Sequence, residues 1–358
     1  MKLKFVSIAT ILVVILMACG GGTKHKVVLN EDGDSSKHYD DLLQDKLGAF
    51  AVLPSKSVSE KNLSTAEKIA LGHVLYFDNR LSKDQKISCN SCHNLKTFGV
   101  DNLPTSPGDA GKNGERNSPT VLNASLHTMQ FWDGRAADVE EQAGMPILNA
   151  VEMAIPNEKY LIDRLAAIDL YKTMFKAAFP NDANPINYGN LKNAIGAFER
   201  ELLTPSAFDK YLSGDKSALT LEEKKGLLVF TSKGCTACHS GALLGGNAFQ
   251  KFGVTANYWE YTKSKIIDKG LGAKTGKEAD NYMFKVPSLR NITKTGPYFH
   301  DGSVVDLSEA IKIMAKVEVN QDLTPEEIAS IVSFLGSLNG DVPAKYKIAP
   351  AALATTGK

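Results

Sequence analysis

Cys89-Asn90-Ser91-Cys92-His93 and Cys235-Thr236-Ala237-Cys238-His239 are the two stretches that decide how this chain is read. Both follow the pattern C-x-x-C-H, and they begin 146 positions apart, at 89 and 235. The chain has five cysteines, and these strings take all but Cys19. Exported proteins usually spend paired cysteines on disulfides. A redox-active C-x-x-C and half of a zinc site are the other uses to weigh. Zinc needs further Cys or His at close spacing, and neither string has them. A histidine directly after the second cysteine suits covalent haem attachment, in which both thiols form thioethers to the porphyrin and the histidine ligates the iron. The two strings therefore read as two c-type haem sites, with His93 and His239 as the proximal ligands.

Working outward, the N-terminus reads as a targeting segment. Lys2 and Lys4 precede an apolar run over 5–18 that is too short to span a bilayer comfortably. It ends Leu16-Met17-Ala18-Cys19, followed by three glycines. That pattern resembles a bacterial lipoprotein signal, cleaved after residue 18 to leave a lipidated Cys19. An uncleaved anchor or a plain secretory signal with a chance cysteine is the alternative; each exports the rest of the chain. Residues 19–45 are polar and charged and read as a flexible tether. The formal charge of +1 over 358 residues argues against a nucleic-acid partner and leaves room for two domains with their own cores.

A weak internal repeat surrounds the two motifs. Ser64-Thr65-Ala66-Glu67 has capping-box form and opens a helical segment toward Leu75-Tyr76-Phe77 and the first motif. Thr220-Leu221-Glu222-Glu223 opens a similar segment toward Leu228-Val229-Phe230 and the second. Further helices are expected over 157–167, 190–202 and 324–338, the last with Thr324 as cap and Pro325 at its first position. Strand signals are short and few. The expected fold is mainly α, with two cytochrome c-like haem domains at 46–205 and 206–343, long ordered loops, and a loosely packed tail at 344–358.

Three further segments carry a family resemblance. Phe131-Trp132-Asp133-Gly134-Arg135, Asn117-Ser118-Pro119-Thr120-Val121-Leu122-Asn123 and Tyr298-Phe299-His300-Asp301-Gly302-Ser303 resemble signature segments of bacterial dihaem cytochrome c peroxidases, in order across residues 53–343. The resemblance implies that the first haem reduces hydrogen peroxide and that the second receives electrons from a small cytochrome c or cupredoxin. It implies Met314 as the second axial ligand beside His239; periodicity alone would read Met314 as core filler. A related group of protein-modifying oxidases carries tyrosine there. It further implies Trp132 as the aromatic group between the haems, Glu152 as the proton-transferring carboxylate, Gln142 and Pro146 as pocket residues, and a calcium ion held by Asn117 with the carbonyls of Thr295 and Pro297. Asp133 and Arg135 read as structural, pairing with loop backbone or a haem propionate. His300 reads as a support of the loop at the second haem and His73 as a packed or surface histidine. Members of the family are commonly homodimers. The rival readings are an oxidase that modifies a partner protein and a plain dihaem electron carrier.

One departure stands out. Many of these peroxidases block the resting peroxide haem with a histidine from the loop before the Asn117 segment. Here that loop, 105–116, has no histidine, and Asp109 stands at the expected position. His127 is the nearest alternative, in a different segment. The expectation is a first haem that is open or water-bound at rest.

Overall fold

The computed structural model describes residues 35–355; the signal segment, Cys19 and most of the expected tether lie outside them. The fold is mainly α. The first half carries α1 (Ser35–Leu43), α2 (Ala66–Phe77), the single turn α3 (Cys89–Cys92), α4 (Val139–Leu148), α5 (Glu158–Ala166), α6 (Asp169–Ala178) and α7 (Tyr188–Glu199). The second carries α8 (Ala207–Leu212), α9 (Leu221–Ser232), α10 (Tyr258–Thr262), α11 (Leu271–Thr275), α12 (Leu307–Val319) and α13 (Pro325–Gly336). Two three-residue strands, β1 (Phe249–Lys251) and β2 (Met283–Lys285), pair antiparallel with Phe249 opposite Lys285. Among the described residues no helix is long and apolar enough to cross a membrane.

Two helix crossings organise the molecule. α2 packs along α7, and α9 packs along α13. Each crossing is close because one helix presents a glycine to the other's backbone. A Cβ on Gly72 would lie 1.9 Å from the Ala194 carbonyl oxygen, and one on Gly226 would lie 1.8 Å from that of Ser330. Around the first crossing Leu71, Leu75, Leu161, Phe175, Leu191 and Ile195 form one buried core. Around the second, Phe208, Leu227, Phe230, Ile331, Phe334 and Leu335 form another.

The local start signals are realised where the side chain can reach back. Thr220 and Thr324 cap α9 and α13 in full capping boxes with Glu223 and Glu327. At α2 the cap is Thr65 and not Ser64; its hydroxyl accepts from the Lys68 amide at 3.2 Å. Asn157 caps α5 as its sequence suggests, whereas α7 begins at Tyr188, two residues before the expected start, because Asn187 caps it.

Both ends pack more tightly than their composition implies. The expected tether, which ran to residue 45, overlaps α1, where Leu43 is fully buried against the second core. Asp40 on the same helix accepts from the buried Lys224 at 2.8 Å and from the Tyr211 hydroxyl at 2.7 Å. One of the charges that made this stretch look like a solvated linker, Asp40, is thus a partner for buried donors. The tail is likewise not loose: Tyr346 is buried edge-on to His73 and Phe198, and its hydroxyl donates to Glu201 at 2.9 Å. His73 stacks on Phe198 with ring centroids 4.7 Å apart, which makes it a packed histidine.

The close crossings yield a stability contrast. Gly226→Ala forces a methyl into the Ser330 carbonyl and should cost about 1–3 kcal/mol. A Cβ on Gly336, at the end of α13, would meet nothing within 4 Å. Gly336→Ala should be neutral or stabilise by about 0.4–1 kcal/mol. Urea unfolding of the holoprotein followed by far-UV circular dichroism separates the two.

Candidate haem centres and the distal cavity

The first motif folds as one capped turn. Ser88 and Ser91 cap α3 reciprocally, and the His93 amide closes the turn on the Cys89 carbonyl at 2.9 Å. Cys89 and Cys92, three residues apart on a helical turn, share a face. The Tyr76 hydroxyl donates to the His93 carbonyl at 2.6 Å and ties this turn to α2. The second motif is a similar short turn after α9, with the His239 amide on the Cys235 carbonyl at 3.0 Å.

The residues present fit covalent haem better than they fit zinc or a redox dithiol. None of the four cysteines is paired in a disulfide. Burial pushes Cys89 up to about 12 and Cys92 and Cys235 up to about 11, and raises Cys238 as well. Metal binding and thiol exchange need a thiolate, which these surroundings oppose. No cluster of three or more His, Cys, Asp or Glu suited to a metal ion exists among the described residues. Burial also lowers both histidines, favouring the neutral imidazole that can ligate iron. His239 Nδ1 lies 3.0 Å from the Leu244 carbonyl oxygen. A carbonyl only accepts, so the ring proton sits on Nδ1 and the Nε2 lone pair is left for a metal.

Beside the first motif lies a cavity of about 680 Å³, and Cys89, Cys92 and His93 form part of its wall. The sequence-predicted pocket residues Trp132, Gln142, Pro146 and Glu152 line the same cavity. Gln142 and Pro146 lie on α4, whereas Glu152 lies in the turn after it. The Glu152 carboxylate accepts from Asn149 Nδ2 at 2.8 Å. Burial raises its affinity for a proton, and Arg135 and Asn149 offset that only in part.

Trp132 is held at both ends. Its indole Nε1 donates to the Asn117 carbonyl at 2.9 Å, and its own carbonyl accepts from the Lys285 amide at 2.8 Å. His300 meets it edge-on at 6.4 Å, and His300 itself is buried in an aromatic cage, stacked on Phe284 at 4.5 Å. The Asn117 amide donates to the His300 carbonyl at 2.7 Å, and Asn102 Nδ2 to the Gly296 carbonyl at 2.9 Å. The Asn117 segment and the one holding Thr295 and Pro297 are thereby brought against each other. Met314 sits half-buried on α12.

Several functional neighbours were invisible in the sequence. Arg116 bridges Asp133 at 2.8 Å and Asp268 at 2.7 Å, the second of them 152 positions away in the chain. Asp133 also pairs with Arg135 at 3.0 Å, and the Arg135 guanidinium lies 3.4 Å above the Phe131 ring. Asp133 accepts from the Arg135 loop amide at 3.3 Å, in line with the expected structural role, and pairs with two guanidinium groups as well. Glu199, a buried acid on the cavity wall, was also missed. A lone carboxyl inside a helix gives no sign of which way it faces.

Asp109 is fully engaged. Its carboxylate accepts from the Ser82 hydroxyl at 2.7 Å and the Asp84 amide at 2.6 Å, and its own amide donates to the Glu152 carbonyl at 2.7 Å. A Cβ on the neighbouring Gly108 would lie 1.8 Å from the Val151 carbonyl oxygen. The 105–116 loop is thus pinned on one side to the turn before the first motif and on the other to the Glu152 turn.

Two c-type haem motifs on a helical scaffold, one opening onto a cavity with its own carboxylate, define a dihaem cytochrome c of the enzymatic kind. Residues 66–217 match the di-haem cytochrome c peroxidase family and residues 223–339 the cytochrome c family. Cytochrome c551 peroxidase of Pseudomonas aeruginosa is 42% identical, over 88% of this chain and 92% of its own. Cytochrome c551 peroxidase of Nitrosomonas europaea is 44% identical, over 82% and 85%. Among solved structures, a MauG-like protein associated with microbial copper homeostasis is 28% identical with a TM-score of 0.74, over 84% of this chain and 97% of that one. The chain belongs to the dihaem cytochrome c peroxidase family, carries two c-type haems, and is an enzyme.

The pinned loop gives a test by acid. Burial alone would raise Asp109, but the Asp84 amide, the Ser82 hydroxyl and the Lys86 amide outweigh it and hold the carboxyl below its ordinary value. A depressed folded-state value means that the stabilisation is complete above the unfolded value, about 3.9, and is lost as pH falls through the folded one. Asp109→Ala should remove about 1–3 kcal/mol at neutral pH by leaving these donors unsatisfied. Hydrogen exchange should rise in 82–87 and 105–116 together; exchange unchanged in either segment contradicts the pinning.

Proposed function

We propose that this chain is a periplasmic, lipid-tethered peroxidase that reduces hydrogen peroxide to water with two electrons from a small reduced cytochrome c or cupredoxin. The observation that carries the reading is that Glu152 and Gln142 share one cavity with Cys89, Cys92 and His93. A plain electron carrier has no use for a proton-transferring acid beside its haem. The names of the two cytochrome c551 peroxidases point the same way. Met314 separates the chain from the oxidases with tyrosine at that position.

We assign 46–205 as the peroxide half and 206–343 as the electron-receiving half. Cys89, Cys92 and His93 hold the first haem; Cys235, Cys238, His239 and Met314 hold the second. Bound haem supplies the redox-active iron at which the O–O bond is cleaved. Reduction of one peroxide consumes two electrons and two protons and gives two waters. Glu152 takes the proton from the inner peroxide oxygen and delivers it to the outer one, so that the leaving oxygen departs as water and not as a charged group. Gln142 and Pro146 shape the space in which the peroxide sits. Trp132 lies on the electron path from the second haem. A calcium ion at Asn117, Thr295 and Pro297 ties the two segments that hold Trp132 and His300. Lipidation at Cys19 keeps the enzyme at the membrane, and the working unit is a homodimer.

The first haem reacts without prior reduction of the second. The 105–116 loop offers no histidine, and the engaged carboxylate of Asp109 supports a loop that stays in place through the cycle. In stopped-flow mixing with peroxide, fully oxidised and half-reduced protein should react at similar rates. A fully oxidised form that is inert, with two low-spin haems, overturns this.

Glu152→Gln should lower kcat/KM for peroxide about 10²–10⁴-fold. Because burial raises the Glu152 carboxyl, the wild-type rate should climb with pH through a value above that of an ordinary glutamate. That limb should vanish in the variant. Persistence of the limb assigns the proton transfer to another group.

A further inference from the structure

Lys285 and His127 are cavity groups to which the peroxidase reading gives no task. Lys285 ends β2 and is only 5% exposed; its Nζ lies 2.8 Å from His127 Nδ1. Both side chains line the cavity that holds Cys89, Cys92 and His93. The other lysine or arginine side chains on that wall are already neutralised: Arg135 by Asp133, and Arg116 by Asp133 and Asp268. Among the described residues, Lys285 has no such carboxylate. Burying a cation without a counter-charge is strongly unfavourable, and burial alone pushes Lys285 down to about 7.

The contact with His127 also sets a direction. An ammonium has three donors and no acceptor. With Lys285 in its ammonium form, His127 Nδ1 must accept, which leaves the ring proton on Nε2. That Nε2 is buried and has no hydrogen-bond partner in the protein. Gly246 packs against the ring, since a Cβ there would lie 2.8 Å from its Cδ2, and the Trp132 carbonyl holds the Lys285 backbone. The pair combines a buried amine that lacks a counter-charge with a buried ring nitrogen that the protein leaves unmet, and together they call for a carboxylate.

The geometry points to a propionate-binding site: Lys285 supplies the charge and His127 Nε2–H the hydrogen bond that hold a carboxylate of the haem attached at Cys89 and Cys92. This rests on that attachment being correct. A protonated Nε2 has no lone pair, so the same arrangement removes His127 as an axial ligand. A cation beside the propionate favours the reduced, more negative haem, and so raises the reduction potential of the first centre alone.

The test uses full-length holoprotein. Peptide mass analysis first establishes haem on Cys89 and Cys92; a wild type without it there overturns the attachment and not the clamp. Spectroelectrochemical titration then compares wild type with Lys285→Met and Lys285→Arg. The methionine variant should lower the midpoint potential of the His93 haem, leave the His239 haem unchanged, and shift the propionate bending band in resonance Raman spectra. The arginine variant should restore both. If Lys285→Met fails to mature, Lys285→Gln, which drops the charge but keeps a donor, should lower the same single potential. A loaded variant with both potentials and the propionate band unchanged, or with both potentials moved equally, overturns the proposal.

Discussion

The two close helix crossings are the constraint on which the rest depends. A side chain at Gly72 or Gly226 would collide with a carbonyl of the facing helix, so each crossing exists only because the position is bare. α9 leads almost directly into the second C-x-x-C-H turn, whereas residues 78–88 separate α2 from the first, and there Tyr76 clamps the turn to α2 through the His93 carbonyl. The relative placement of the two thiols and the histidine is set by the local turn in each motif, closed by the His93 and His239 amides. The scaffold is shared between the halves; what distinguishes them is the material inserted around each turn.

In the first half that material forms the cavity beside Cys89, Cys92 and His93, with a layered set of restraints. The 105–116 loop is held through Asp109 to the Ser82–Asp84 turn and through the Asp109 amide to Glu152. Arg116, at the end of the same loop, reaches across to Asp268 and Asp133. The loop, the Trp132 segment and the 268 region are therefore mechanically one piece. Bidentate, half-buried guanidinium–carboxylate contacts of this kind set geometry more than they add stability.

What could be read from the sequence was local. A C-x-x-C-H turn, a Thr-x-x-Glu cap at α9 or α13, and an Asn cap at α5 all close within a few residues, so the pattern contains the interaction. The errors have the same physics. Ser64 and Thr65 are chemically similar caps, and the local string does not choose between them. The charges of α1 look solvated until Lys224 and Tyr211, more than 170 positions away, are seen to use Asp40. Lys285 and His127 are 158 apart and Arg116 and Asp268 152 apart; no periodicity encodes such pairs. Trp132, Gln142, Pro146 and Glu152, named through the family resemblance, do line one cavity, but their electrostatic partners were not legible in the sequence.

Those partners decide which carboxyl on the cavity wall can do proton chemistry. Glu152 and Glu199 line the same space, and burial raises both. Glu199 has Glu140 beside it, and although Arg200 opposes the repulsion, the carboxyl is pushed up to about 8. Arg200 is already committed to Glu140 through contacts at 2.7 and 2.8 Å. Near neutral pH Glu199 is therefore mostly protonated and a poor acceptor. Glu152 instead faces Arg135 and accepts from Asn149, and both favour its anion. Only a carboxylate can take the first proton from peroxide, and only a carboxyl not held far down will return it. Of these two glutamates only Glu199 has a second carboxyl pushing it up, so the neighbours of Glu152 make it the better fit to the proton-transfer role proposed for it.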